Sequence, residues 1–267
     1  MKKLNRKLAL SVTSIVLGLS TLASSNLYAK DFLTPGVFKI GMEVAYPPFE
    51  SYEDGKVVGF DPELTALLSE QMGVTPKYSD NKFTTLILGL KANKFDAVIS
   101  GLYITPERLK VANAVPYAKT GASILVTKGS STRPATKEDL CGLKVGLQQG
   151  TSWIKSLGDL SASYCETNDK EPIIIKTFPS SPEVTQALLS HNVDAQIEVI
   201  GAAKIMIEKT KGRVEITSPD LVYPLQIGIY INKNNTKLKA EIEKALAEIT
   251  ANGSLSKLIK KYDLIGV

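Results

Sequence analysis

Histidine and cysteine are nearly missing from this 267-residue chain, which has one His, His191, and two Cys, Cys141 and Cys165. A structural zinc site wants four ligands, largely of these types, so no metal centre or cofactor is expected. A Ser–His–Asp catalytic set has no support either, because His191 falls in the turn Ser190-His191-Asn192, where a solvated residue is the plain reading. A real excess of positive charge is missing too. Lys2, Lys3, Arg6 and Lys7, with no acid among residues 1–29, account for all but +1 of the net charge of +5. A nearly neutral body gives no reason to invoke nucleic acid or an anionic membrane surface. Beyond the first segment no stretch reaches the roughly 20 apolar residues of a membrane span. Repeats and long low-complexity tracts are absent as well.

What is present begins with an export signature. A basic start precedes an apolar run over residues 8–23, the polar Ser24-Ser25-Asn26 and a small residue, Ala29, near which cleavage is expected. The alternative, a membrane anchor, needs a longer run without the interrupting Ser and Thr. No cysteine lies near the cleavage region, so a lipid-anchored form is not expected. In an oxidising compartment the two remaining cysteines read as a disulfide, Cys141 to Cys165, worth about 3 kcal/mol in the chain-entropy model. The alternative is two unpaired buried thiols.

The body alternates strand and helix signals. Residues 37–42 read as a strand, and Asp61-Pro62 opens a helix, with Asp as its cap, that ends at Gly73. Residues 83–91 read as a helix and 97–99 as a strand, Thr105-Pro106 opens a short helix, and 123–127 is a strand. The pattern then restarts. Strands are expected at 144–147, 173–176 and 194–197, with helices from Gly150-Thr151-Ser152, from Ser181-Pro182-Glu183 and up to Lys209. A late strand at 226–231 precedes two helices split near Gly253. Alternation of this kind means mostly parallel sheets covered by helices on both faces. Two such runs with a late return strand predict an α/β protein of two lobes. The expected division is residues 1–29 as signal, 30–124 as the first part of lobe 1, 125–228 as lobe 2 and 229–267 as the return to lobe 1.

Five segments in fixed order carry a resemblance: Tyr46-Pro47-Pro48-Phe49-Glu50, Gly59-Phe60-Asp61, Asp96-Ala97-Val98-Ile99-Ser100-Gly101, Thr105-Pro106-Glu107-Arg108 and Val145-Gly146-Leu147-Gln148-Gln149-Gly150-Thr151. Across essentially the whole mature chain this resembles the bacterial solute-binding proteins for polar amino acids, including the histidine- and glutamine-binding proteins. The resemblance implies a two-lobed periplasmic-binding-protein fold with a two-strand hinge, near residues 123–127 and 224–229. It also implies a small-molecule ligand in the inter-lobe cleft and an inner-membrane ABC permease as partner. A monomer is the default.

Residue chemistry points the same way. The Arg108 guanidinium can grip a carboxylate with two parallel hydrogen bonds, as the matching arginine does in the family. Ser100 and Gly101 end an apolar strand, where ligand crevices form, and Gly101 lets its backbone N–H approach a ligand. Thr151 and Ser152 open a helix whose free N–H groups favour an anion, or they simply cap that helix. The resemblance places Tyr46, Phe83 and Gln148 around the ligand. Trp153 reads as packing.

Three departures bear on the ligand. Tyr103 stands where the family carries a Ser or Thr that contacts the carboxylate. Val199 stands where amino-acid binders carry the Asp that holds the ammonium; Glu198 is one position earlier, but strand neighbours point to opposite faces. Glu43, beside Tyr46 and Phe83, suits a positive group. The expected ligand is therefore a carboxylate with a positive group: a basic amino acid, a derivative of one, or a cyclic or quaternary zwitterion. Two other functions stand beside capture and delivery. One is an exported cyclohexadienyl dehydratase-like enzyme on the same fold, against which Val199 and Ala202 argue. The other is a sensory binding protein.

Overall fold

The computed structural model describes residues 32–266; the expected signal segment lies outside them. A first run comprises β1 (Val37–Met42), a small antiparallel hairpin of β2 (Ser51–Glu53) and β3 (Lys56–Val58), α1 (Phe60–Met72), β4 (Thr75–Asp80), α2 (Leu86–Lys91), β5 (Ala97–Val98), α3 (Pro106–Leu109) and the long β6 (Ala112–Thr127). A second run follows with β7 (Lys144–Gln148), α4 (Trp153–Leu160), β8 (Ile174–Phe178), α5 (Ser181–Leu189), β9 (Ala195–Val199), α6 (Ile200–Lys209), β10 (Val214–Ile216) and β11 (Val222–Asn232). Helices α7 (Thr236–Ala251) and α8 (Ser254–Lys261) close the chain.

The main strands order as β4-β1-β5-β11-β6-β9-β7-β8, with β10 beside β6. This is two lobes sharing one strand. In the first, β4, β1 and β5 are parallel, β11 runs antiparallel to them, and the start of β6 pairs antiparallel with β11 and so points the same way as β1. In the second, β9, β7 and β8 are parallel, and the end of β6 pairs antiparallel with β9 and β10. Strand β6 faces β11 from Ala112 to Ala122 and β9 from Ala122 to Leu125, so it passes from one lobe into the other. Helices α7 and α8 pack on α1, returning the chain to the first lobe. Phe38, Ile40, Leu64, Leu68, Ile231, Ile242 and Ile249 are fully buried in that lobe's core.

Several expectations need correction. Residues 123–127 are only the end of a sixteen-residue strand. Pro116 and Gly121 mask the first part in the sequence, since Pro cannot donate to a ladder; the register of β11 shifts between Ile227 and Gly228, opposite Pro116. Strands β2, β3, β4 and β10 carry no apolar run in the sequence, because they are short or lie at a sheet edge and bury little. Asp61 does not cap α1, whose N-cap is Gly59 without a side-chain cap. The Asp61 carboxylate is buried instead and accepts from Gly101 N (2.7 Å) and the Tyr117 hydroxyl (2.8 Å), tying the helix start to the sheet. Gly73 ends α1 in the left-handed conformation, as its position in the sequence predicts. The disulfide is formed, with the Cys141 and Cys165 Cα atoms 5.6 Å apart. His191 is exposed in its turn, with φ 59°.

Candidate functional site

A cavity lies between the lobes. The first lobe contributes Tyr46, Phe83, Gly101, Tyr103 and Arg108, and the second contributes Gln148, Thr151, Ser152, Trp153, Glu198 and Val199. Strand ends and helix starts supply nearly all of them, which is where α/β sheets leave crevices.

Arg108 is set by α3. The Thr105 hydroxyl caps that helix by accepting from Arg108 N at 3.3 Å, and Pro106 fixes its first turn. The guanidinium Nη1 donates to Tyr103 O (2.7 Å), and Nη2 reaches across the cleft to Gly150 O (3.1 Å). Its plane lies over Phe83, 5.6 Å from the ring centroid. Five donors on a planar fork leave some for a ligand. Burial lowers its pKa from the usual arginine value, so a bound anion is favoured there.

Tyr103, next to it, is buried and meets Trp153 edge-to-face across the cleft, with centroids 5.6 Å apart. Its carbonyl also accepts from the Tyr230 hydroxyl at 2.6 Å, which fixes the turn. The phenol oxygen of Tyr103 and Nε1 of Trp153 are both buried without a hydrogen-bond partner. Trp153, expected as packing, is thus part of the cavity wall. A Trp directly after a helix-opening Gly-Thr-Ser was the available signal.

Glu198 is the acidic residue in the wall. Strand β9 ends at Val199, which turns the chain into α6, so both neighbours reach the cleft and the alternation expected of a continuing strand does not apply. Glu198 Oε1 accepts from the Tyr46 hydroxyl (2.5 Å), across the cleft, and from Val199 N (2.9 Å). Oε2 accepts from the Ser181 hydroxyl and from Gln196 Nε2. Burial pushes this carboxyl above the ordinary glutamate range, opposed by those hydrogen bonds.

Other expected contacts are placed differently. Glu43 and Ser100 stand behind the wall. Glu43 Oε2 accepts from Gln148 Nε2 across the cleft (2.6 Å) and Oε1 from Phe83 N (3.3 Å), so Glu43 positions two wall residues. The Ser100 hydroxyl donates to buried Glu50 (2.5 Å) and accepts from Glu43 N (3.1 Å). Gly101 lines the cavity, but its N–H is spent on Asp61. Thr151 does not cap α4; its hydroxyl donates to Gln148 O at 2.8 Å, and Ser152, the N-cap, makes no side-chain cap bond. The α4 N–H groups therefore remain available to an anion.

Comparison with known proteins agrees with this geometry. The family model described as "Bacterial extracellular solute-binding proteins, family 3" matches residues 38–264. The L-cystine-binding protein TcyJ of Escherichia coli K12 is 28% identical over 229 residues, covering 85% of this chain and 82% of that protein. Holo ArgBP from T. maritima has 32% identity and a TM-score of 0.71, over 85% of this chain and 96% of that one. The ancestral amino acid-binding protein AncCDT-1, described as a precursor of cyclohexadienyl dehydratase, has 27% identity and a TM-score of 0.74, over 85% and 95%.

Proposed function

We propose, from the premise that the chain belongs to the bacterial extracellular solute-binding proteins of family 3, that it captures a small amino-acid-like zwitterion between its lobes. It then delivers that solute to a membrane permease. One observation carries this: Arg108 of one lobe and the start of α4 in the other line the same cavity, and both suit a carboxylate. The cystine- and arginine-binding proteins it resembles support an amino-acid-like ligand.

The ligand enters the open cleft, its carboxylate meets Arg108, and the lobes close onto the α4 start. Three hydrogen bonds around the cavity then cross the cleft: Arg108 to Gly150 O, Gln148 to Glu43, and Tyr46 to Glu198. Closure turns on β6 and β11, about where Ala122 faces Val222. The ligand favours the closed form only through contacts absent from the open one. The closed form presents the permease with a surface that the open form lacks. We assign the protein to the periplasm, released there as a monomer by cleavage near Ala29.

Catalysis is the second reading, because a buried carboxyl with a raised pKa, Glu198, shares the cavity with Arg108. Val199 and Ala202 stand against it. A thermal-shift screen over neutral, acidic and basic amino acids, their N-methylated and cyclic derivatives and cyclohexadienyl acids separates the two. A ligand at a hundred times its Kd adds roughly 2.7 kcal/mol. A stabilising zwitterion recovered unchanged supports capture. A cyclohexadienyl acid that is consumed overturns it.

A further inference from the structure

We infer that the ligand's positive group is a fully substituted nitrogen, as in a betaine, rather than a primary ammonium; this rests on the capture reading above. A primary α-ammonium brings three N–H donors, and burying them without acceptors is costly. The one carboxylate among the described residues of the cleft wall is already taken. Glu198 has both oxygens engaged by the protein: Tyr46 and Val199 N on one, Ser181 and Gln196 on the other. The next position, Val199, is apolar and 2% exposed. Glu43, a carboxylate behind the wall, is held by Gln148 and Phe83 N.

What the wall leaves unpartnered is donors. Trp153 Nε1 can only donate and the Tyr103 hydroxyl can donate, and these residues are 5% and 4% exposed. With Arg108 they form one acceptor-seeking end, suited to a carboxylate. Away from that end, Glu198 offers negative charge with its oxygens engaged, and Tyr46 offers ring surface. No salt bridge reaches Glu198 among the described residues, so its charge is open to a cation. Tyr46, stacked on Phe49 with centroids 5.5 Å apart, lines the same cavity. Charge plus aromatic faces is how quaternary ammonium groups are recognised.

The test is calorimetric titration of the purified protein with matched pairs: glycine and glycine betaine, proline and N,N-dimethylproline, histidine and its Nα-trimethyl form. Arginine and cystine complete the panel. At least one methylated member should bind more than tenfold tighter than its parent and tighter than arginine or cystine. Val199→Asp, which restores an acceptor, should move that ratio at least tenfold toward the parent. Tyr103→Phe and Trp153→Phe, which remove the donor and keep an aromatic ring at each position, should each weaken binding about tenfold and leave the ratio unchanged. Tighter binding of a primary amino acid overturns the inference and leaves capture standing. An unchanged ratio in Val199→Asp overturns it as well. Binding of no compound by a protein with a cooperative thermal transition overturns both.

Discussion

At the scale of single residues, the buried acids are the clearest lever. Asp61 and Glu50 lie together under the cleft floor, away from water. Burial holds Asp61 at about 6 and pushes Glu50 well above the usual carboxylate range, with the neighbouring Asp61 charge adding to the latter. In the unfolded chain both titrate near 4. Between those values the folded protein keeps protons that the unfolded chain has lost, so stability falls as pH rises from about 4 to beyond 6. The melting temperature of the ligand-free protein is expected to drop between pH 5 and pH 8. Glu50→Gln, which keeps a polar partner for Ser100, should flatten that drop; an unaltered slope would contradict the assignment. Arg108 was legible because Thr105-Pro106 announces the helix that aims it. The polar contacts of Glu198 and Asp61 were not, since they come from residues far apart in sequence, such as Tyr46 with Glu198 and Asp61 with Tyr117.

At the scale of elements, α4 shows how a local signal and a distant tie combine. The sequence marks its start with Gly150, whose φ of +83° suits glycine and where an added Cβ would come within 3.2 Å of Thr84 and 3.4 Å of Phe83 in the other lobe. Its far end continues through residues 161–165 to Cys165, which is bridged to Cys141. The disulfide therefore closes the segment that presents Thr151, Ser152 and Trp153 to the cleft. Replacing both cysteines by serine should cost about 3 kcal/mol. For a chain of this size that lowers the melting temperature by roughly 6–12 °C. A scan under non-reducing conditions checks it, and a shift under 2 °C would contradict a structural role. The helices and parallel strands were readable from caps and apolar runs. Strand β6 was not, because its pairing with β11 and β9 depends on residues about a hundred positions away.

At the scale of the molecule, the two lobes were legible in the restart of the strand–helix pattern after residue 140. Their closeness was not. It rests on small residues at the contact: a Cβ on Gly201 of α6 would come within 3.1 Å of the Pro48 ring in the first lobe. Gly201→Ala should hold the lobes slightly apart, weakening ligand binding several-fold. The ligand-bound radius of gyration from small-angle scattering should then exceed that of the parent protein. Equal affinity and equal radius would show that this contact does not limit closure.

Capture by the cleft is tested most directly by titrating the parent protein and Arg108→Ala, in parallel, with the ligand that the thermal-shift screen identifies. Arg108 is half-buried at the cleft rather than in a lobe's core, so the variant should fold as a cooperative unit in the absence of ligand, which a thermal scan checks. The expected result is one-to-one binding by the parent protein and a loss of about a hundredfold in the variant, in line with removing a charged, forked hydrogen-bond donor. Undiminished binding by a folded Arg108→Ala protein would contradict the placement of the ligand's carboxylate and, with it, the cleft as the site of capture.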